Sequence, residues 1–397
     1  MPVMIKSNRP ITHLWLIIFI FIFSLSPLLS ELIKIPGNYL YLFPLFLFIL
    51  INYKSINIDQ NLLMTILFVI AFAFVPAIYY EAPRYLLVPI YILMAIPAIV
   101  VIRAKDWLYL ISKISSILIL FEILAIISFL VYFFSILSEP FFCMENEDTR
   151  LNCLYGATMT NAAYGNIIRP SAIYDEPGAF SFIVCMVTLL RHGLRMDSGT
   201  SARLLIFGMI TFSVAHFLFM ILYFLNKKIK ITRKFLISLS ILIFVAFSFA
   251  DVLYEMLLSR FEIVDGVMAG DNRSARMMNT LGMIGFETFF VGIGPQCVLT
   301  GYECDRLEID VFDSNPFTLL AAYGILLSFP YYFIIVIFLQ NSMRKADFFI
   351  MLGAIMLILQ RPNVFTYGYA FIVLSSVFIF SKRYQSNMVR LKKNKII

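Results

Sequence analysis

The stretch from Arg169 to Phe180 reads Arg-Pro-Ser-Ala-Ile-Tyr-Asp-Glu-Pro-Gly-Ala-Phe, and an apolar run follows it to about Leu190. Two adjacent carboxylates, Asp175 and Glu176, stand directly before Pro177. Proline favours the first turn of a helix, because the N–H group that it lacks would have no partner there. The stretch therefore predicts a helix that begins near Pro177, with the two carboxylates at its mouth and Arg169 just outside.

These carboxylates have a structural and a functional interpretation. The positive end of a helix dipole stabilises an anion, so an acidic residue at a helix N-terminus is common without any catalytic role. A carboxylate beside a cationic group can also serve as a general base. The nearby Arg169 and a second arginine-bearing segment later in the chain favour the functional interpretation.

The composition indicates a membrane protein. Hydrophobic residues make up 61% of the 397 residues and charged residues 14%, and the mean hydropathy is +0.89. Repeated apolar runs of about 17 to 25 residues match the ~30 Å hydrocarbon core of a bilayer. The sequence thus predicts an all-α, polytopic integral membrane protein with about twelve transmembrane helices, forming a single membrane domain over residues 1–397. The net charge of +7 is read as a topology signal and does not indicate nucleic acid.

Basic residues alternate between the predicted loops, and this alternation predicts the topology. Both termini are expected in the cytoplasm, with a cytoplasmic tail over residues 381–397. Two larger periplasmic loops are expected over about residues 139–170 and 254–315. To keep the basic residues after 226 inside, the apolar run 204–225 is interpreted as a hairpin of two short passes, broken near Thr211 to His216.

Four of the five cysteines lie in the two predicted outer loops. Cys143 and Cys153 are separated by nine residues, and Cys297 and Cys304 by six. Local pairs facing an oxidising compartment predict two disulfides. Free thiols are the alternative. A structural zinc site is not expected, because neither loop contains a histidine.

Charged residues of the outer loops form two candidate clusters. In the first, Tyr174 and Arg150 accompany Arg169, Asp175 and Glu176. The second contains Arg273 and Arg276, with Arg260 upstream. Guanidinium groups bind phosphate in a bidentate manner, so two clusters could clamp a diphosphate while a carboxylate accepts a proton.

Isolated polar residues add further candidates. His216 is placed at the hairpin tip, where it either contacts substrate or packs as a hydrogen-bonded residue. Arg361, between the last two predicted spans, is a candidate for the outer vestibule. Glu122, in the middle of an apolar run, is either a structural or a functional polar contact. The sequence contains no Walker-type loop or dinucleotide fingerprint, so the substrate itself would have to supply the energy for a reaction.

The segment Arg169-Pro-Ser-Ala-Ile-Tyr-Asp-Glu-Pro resembles the R-x-S-x-(aromatic)-x-E-P signature of the O-antigen polymerases of the Wzy type. Three further motifs resemble that family in the same order along the chain. They are the break at Thr211-Phe-Ser, the sequence Val291-Gly-Ile-Gly after an arginine-bearing loop, and Ser314-Asn-Pro-Phe followed by Ala322-Tyr-Gly-Ile. The resemblance covers roughly residues 60 to 380.

This resemblance implies a metal-independent glycosyltransferase of the GT-C type that needs no cofactor. Such an enzyme would join undecaprenyl-diphosphate-linked oligosaccharide repeat units at the periplasmic face of the bacterial inner membrane, for lipopolysaccharide or other surface polysaccharide. Arg169 and either Arg273 or Arg276 would hold the diphosphate, and Glu176 would organise the site or act as the base. Membrane lipids and a chain-length regulator are the implied partners. Eight residues separate Arg169 from Gly178, whereas some members of the polymerase family have ten residues between the corresponding arginine and glycine. Because of this difference, the donor and acceptor sites are not assigned to particular loops.

Two other functions stay open. The related O-antigen ligases are thought to use a histidine in the second outer loop, and residues 254–315 contain none. This absence favours the polymerase. A lipid-linked oligosaccharide flippase or transporter would show internal repeats and charges along a midplane pathway, whereas the charges here cluster on one face.

Overall fold

The computed structural model describes residues 12–56, 74, 78, 87–137, 139–145, 151–164, 167–226, 263–264, 267–268, 278, 280–293, 317–343, 348–360 and 367–381. About 75% of these residues are helical. The helices are α1 (Trp15–Phe23), α2 (Pro27–Ile33), α3 (Gly37–Asn52), α4 (Leu87–Val101), α5 (Ala104–Phe133), α6 (Pro177–Gly193), α7 (Ser198–Phe207), α8 (Val214–Asn226), α9 (Phe286–Val291), α10 (Thr318–Met343), α11 (Phe348–Gln360) and α12 (Tyr367–Phe380).

The prediction of about twelve transmembrane helices in a GT-C-like architecture is wrong for this part of the chain. Among the described residues, α5 alone is long and apolar enough to cross a membrane. Helices α1 and α2 meet at a bend of 106° and would add a second span only if they are counted as one. A single helix of this kind also occurs in the core of soluble proteins. The sequence also predicts spans over 62–80 and 235–253, and these lie outside the described residues except for residues 74 and 78.

The prediction failed because the apolar runs are divided into short helices. The first apolar run does not form one straight helix, because Pro27 has no N–H to continue the hydrogen bonds of α1. A new helix, α2, begins at Pro27, and the Ser26 hydroxyl caps it by accepting the N–H of Leu29. Helix α10 is broken at Gly324, where φ is 65°. Helices α4, α11 and α12 contain 15, 13 and 14 residues. A bilayer requires about 20, and helices of 10 to 14 apolar residues are more typical of a buried core.

Helix α6 lies at the centre of the described structure. Fifteen of its seventeen residues are buried. Helices α5, α7, α8, α11 and α12 pack around it. Burial of each large apolar side chain contributes roughly 1.5–3 kcal/mol. The stretch singled out in the sequence therefore supplies the element on which the neighbouring helices pack.

Both segments expected to be outer loops, 139–170 and 254–315, contain antiparallel β-structure. Strands β1 (Phe142–Glu145), β2 (Leu151–Tyr155) and β3 (Thr158–Thr160) form one sheet in sequence order. Strands β4 (Ala163–Tyr164) and β5 (Ile167–Ile168) form a second pair, and β6 (Ile263–Val264) and β7 (Val267–Met268) a third. The expectation of an all-α chain is therefore corrected at these positions.

The predicted disulfide between Cys143 and Cys153 is present and joins directly opposed residues of β1 and β2. The sheet rests against the end of α5, where the Ser128 hydroxyl accepts the N–H of Ala157 at 2.9 Å. Cys297 and Cys304 lie outside the described residues. The disulfide thus closes the sheet that precedes α6.

The predicted break in the run 204–225 exists, although it begins earlier than the sequence indicated. Helix α7 ends at Phe207, and a 3-10 turn over Gly208–Thr211 follows it. Phe212 adopts a left-handed conformation with φ of 47°, and α8 begins at Val214. We call Gly208–Phe212 the 3-10 break.

Arg191, in the last turn of α6, connects three helices from a buried position. Its side chain is 2% exposed. Its guanidinium donates to the hydroxyls of Ser115 in α5 and Ser201 in α7, at 3.1 and 3.0 Å, and forms an ion pair with Asp197 at 2.6 Å. Asp197 also caps α7, because its carboxylate accepts a hydrogen bond from the N–H of Thr200. This hydrogen bond and the positive charge of Arg191 both lower the pKa of the Asp197 carboxyl. The arginine therefore ties α5, α6 and α7 together.

We predict that Arg191→Met lowers the free energy of unfolding by about 2–4 kcal/mol, because two buried serine hydroxyls lose their donor and the ion pair is broken. Thermal unfolding of the purified protein measures this loss. Arg203→Ala is the matched control, since the guanidinium of Arg203 donates to Thr200 at an exposed position. Equal unfolding temperatures for the two variants would contradict the role assigned to Arg191.

Candidate functional site

The segment between β5 and α6, residues 169–176, carries the first predicted cluster, and we call it the site loop. Glu176 is the N-cap residue of α6 with an extended backbone, and Pro177 occupies the first helical position, as predicted. The Glu176 carboxylate does not cap the helix. Asp175 and Glu176 are half-buried. The carboxylates thus lie at the mouth of the central helix.

Strand β3 holds the site loop through backbone hydrogen bonds. The N–H of Met159 donates to the carbonyl of Ala172 at 2.6 Å, and the N–H of Ser171 donates back to the carbonyl of Met159 at 2.8 Å. The N–H of Ala172 donates to the hydroxyl of Thr158 at 2.9 Å. Because β3 is itself paired with β2, the site loop is attached to the disulfide-closed sheet.

Two serine hydroxyls hold the same loop from other directions. The Ser171 hydroxyl lies 2.8 Å from the carbonyl of Met159 and 2.7 Å from that of Tyr174. The Ser26 hydroxyl, at the bend between α1 and α2, donates to the carbonyl of Ile173 at 2.8 Å. Strand β3 and the bend between α1 and α2 therefore determine the path of the site loop before it enters α6.

Arg169 connects the site loop to the 3-10 break. Its Nη2 donates to the carbonyl of Phe212 at 3.1 Å, and its Nε lies 3.4 Å from the carbonyl of Thr211. Its own N–H donates to the carbonyl of Ala162 at 3.0 Å. Both side-chain acceptors are at the end of the turn, where helical carbonyls have no N–H partner. A half-buried cation is thus fixed seven residues before Glu176.

Tyr174, which the sequence predicts as a substrate-binding residue, is a buried packing residue. It is completely buried and stacks on Phe180, with ring centroids 5.7 Å apart. Burial raises the pKa of the Tyr174 hydroxyl, so the ring stays neutral. A buried ring in this position stabilises the turn into α6.

His216, which the sequence places at the hairpin tip, lies in the first turn of α8 and is buried. Its Nε2 is 2.7 Å from the carbonyl of Leu205, and its Nδ1 is 3.5 Å from the sulfur of Cys185. The first contact requires the proton on Nε2, so Nδ1 accepts from the thiol. Both nitrogens have internal partners, and the predicted substrate contact finds no support in this position.

Several predicted residues lie outside the described part of the chain. They are Arg150, Arg260, Arg273, Arg276 and Arg361. Of the first cluster, the structure therefore describes Arg169, Asp175 and Glu176, all in the site loop, and the second cluster stays a prediction. Within the described residues, no group of three or more His, Cys, Asp or Glu side chains is arranged to hold a metal ion.

No sequence pattern indicates the backbone groups that hold Arg169. The carbonyls of Thr211 and Phe212 are 42 and 43 residues away along the chain, and any residue type provides a carbonyl. Ser171 was part of the quoted signature, but its hydroxyl contacts depend on β3, which the sequence analysis did not predict. These partners are visible only in the folded chain.

Two glycine motifs noted in the sequence contact each other. Gly292 ends α9 with φ of 85°, and Gly324 breaks α10 with φ of 65°. A Cβ on Gly292 would overlap the carbonyl of Ala322, and a Cβ on Gly324 would overlap that of Phe290. The N–H of Ile293 donates to the carbonyl of Ala321 at 2.9 Å. Both positions therefore require glycine for conformation and for space.

We predict that Gly324→Ala lowers the free energy of unfolding by roughly 2 kcal/mol or more, because positive φ and backbone overlap both oppose a Cβ. Chemical denaturation of the purified protein measures the change. Gly282→Ala serves as the control, since a Cβ there meets nothing within 4 Å. A Gly324→Ala variant as stable as the control would show that the contact between the motifs is not tight.

Comparison with known proteins gives no family assignment. No family model matches the sequence, and neither a curated protein nor a solved structure matches it. The site is therefore interpreted from its own residues.

Proposed function

We propose that the protein is a polysaccharide polymerase, a metal-independent glycosyltransferase that joins oligosaccharide repeat units carried on undecaprenyl diphosphate. The observation that carries this proposal is the site loop, in which Arg169 is held on the 3-10 break and two half-buried carboxylates stand at the mouth of the buried helix α6. The proposal also uses the similarity of this loop to the polymerase signature.

The position of Arg169 supports binding of an anionic group. The contacts with Thr211 and Phe212 orient the guanidinium before substrate arrives. A preoriented cation loses less side-chain entropy on binding, and guanidinium geometry suits a diphosphate. Stabilisation of charge that develops on the leaving diphosphate would accelerate transfer more than binding alone.

The two carboxylates support proton transfer. A sugar hydroxyl that attacks the anomeric carbon must lose its proton as the new glycosidic bond forms and the bond to the diphosphate oxygen breaks. In the proposed reaction Glu176 accepts that proton, and Arg169 neutralises the diphosphate that leaves with the bonding electrons. The Glu176 carboxylate makes no capping hydrogen bond to the N–H groups of α6.

The lipid-linked substrate implies a location at the outer face of the bacterial inner membrane. The apolar helix α5 is the described element best suited to cross it. Its C-terminal end contacts the sheet that holds the site loop, so the loop would lie near one membrane surface. The disulfide in that sheet fits an oxidising compartment on the same side. A chain-length regulator in the same membrane is a proposed partner.

We predict that Arg169→Ala abolishes polymerisation. In a strain that lacks this gene, the wild type should restore a ladder of polysaccharide chains on a gel, while Arg169→Ala should leave core carrying one repeat unit. Loss of one preoriented donor to a developing charge costs roughly 10²–10³ in rate. Glu176→Gln, which keeps the side-chain size but cannot accept the proton, should give the same pattern.

Arg203→Ala is the control, because Arg203 is exposed on α7 and lies outside the site loop. Long chains from a stably expressed Arg169→Ala variant would contradict the proposal. If deletion of the gene removes even the single-unit band, a ligase or a flippase becomes the better interpretation.

A further inference from the structure

Glu122 lies in the middle of α5 and is completely buried. It belongs to the stripe of α5 that faces the other helices, between Leu118 and Ala125. Its exposed fraction is 0%, and neither carboxyl oxygen makes a hydrogen bond to any residue that the structure describes. The site described above does not use it. An acidic side chain in such a position requires a physical explanation.

Gly208 and His216, from two other elements, lie next to the carboxyl. A point 1.5 Å from the Gly208 Cα, where a Cβ would lie, is 3.2 Å from Glu122 Oε1 and 2.5 Å from His216 Cε1. Cys185 of α6 contacts the same imidazole. The 3-10 break and α8 therefore approach the Glu122 carboxyl of α5, and α6 reaches this group of residues through Cys185.

These neighbours do not compensate a negative charge. Both nitrogens of His216 have other partners, Leu205 and Cys185, so the ring presents its Cε1 edge toward Gly208 and Glu122. No described ion pair involves Glu122. An ionised carboxylate in an apolar interior costs many kcal/mol unless it is paired, whereas a carboxylic acid costs far less.

The same turn leads directly to the candidate site. Gly208 begins the 3-10 break, and its carbonyl accepts the hydroxyl of Thr211 at 2.9 Å. The carbonyls of Thr211 and Phe212, at the other end of the turn, accept from Arg169. The Glu122 carboxyl thus packs against the first residue of the turn that positions the proposed diphosphate-binding arginine.

We propose that Glu122 is a buried proton-binding site. Its carboxyl carries a proton in the folded protein, and as a neutral acid it packs beneath the 3-10 break and positions Arg169 through that turn. The ligand of the site is the proton itself. The positioning role depends on the proposed function, whereas proton binding does not.

Infrared spectroscopy of the full-length purified protein tests the protonation state directly. The wild type at neutral pH should show the C=O stretching band of a protonated carboxyl, and the band should shift slowly in D2O because the group is buried. Glu122→Gln should remove the band. Glu31→Gln, which changes an exposed carboxylate, should leave it in place.

Absence of the band in the wild type, or its persistence in Glu122→Gln, would overturn the proposal. If Glu122→Gln does not fold, Glu122→Asp tests the same point by moving the band to a different frequency. Either measurement is independent of glycosyl transfer, so it can succeed even if the proposed function fails.

The positioning role has a separate readout in the polysaccharide ladder. Glu122→Ala should reduce long chains at least about tenfold, and the isosteric, neutral Glu122→Gln should restore most of them. A full ladder from Glu122→Ala would overturn the positioning role. If the wild type itself makes no ladder, the proposed function fails while the infrared result still decides proton binding.

Discussion

The backbone pairing between β3 and the site loop is the constraint on which the candidate site depends. Met159 exchanges hydrogen bonds with Ser171 and Ala172, so the loop leaves the sheet in a defined direction and enters α6 at Glu176. Arg169, at the other end of the loop, is then close enough to reach the carbonyls of the 3-10 break. Without the sheet, the site loop would keep only its contacts with Ser26 and the 3-10 break, so fewer bonds would restrict the positions of Arg169 and the carboxylates.

Helix α6 connects this site to the rest of the fold. At its N-terminus it carries the two carboxylates, along its length it is buried by five neighbouring helices, and at its C-terminus Arg191 ties it to α5 and α7. The two ends of α6 therefore differ. The N-terminus follows the half-buried site loop, whereas Arg191 near the C-terminus is buried among its side-chain partners. The proposed chemistry belongs to the first end, where Asp175 and Glu176 remain partly accessible to solvent.

Local sequence patterns predicted those features that depend on neighbouring residues. Pro177 marked the start of α6, the spacing of Cys143 and Cys153 indicated their disulfide, and the polar Thr211-Phe-Ser segment indicated a break. Hydropathy failed for the number of transmembrane helices, because it measures how apolar a run is and not whether the run is one straight helix. An average hydropathy does not detect the turns at Pro27 and Gly324. It also does not show that the resulting short helices bury one another. The partners of Arg169 and the surroundings of Glu122 come from elements distant in sequence, which no local pattern specifies.

We propose that Arg169, held by the 3-10 break, binds the diphosphate of a prenyl-linked substrate. Calorimetric titration of the purified full-length protein in detergent with farnesyl diphosphate, a short prenyl diphosphate, measures this binding. Arg169→Ala is expected to weaken binding about 10- to 100-fold, the range expected for a charge-assisted hydrogen bond, while Arg203→Ala should bind as the wild type does. Equal affinities for the wild type and Arg169→Ala would contradict it.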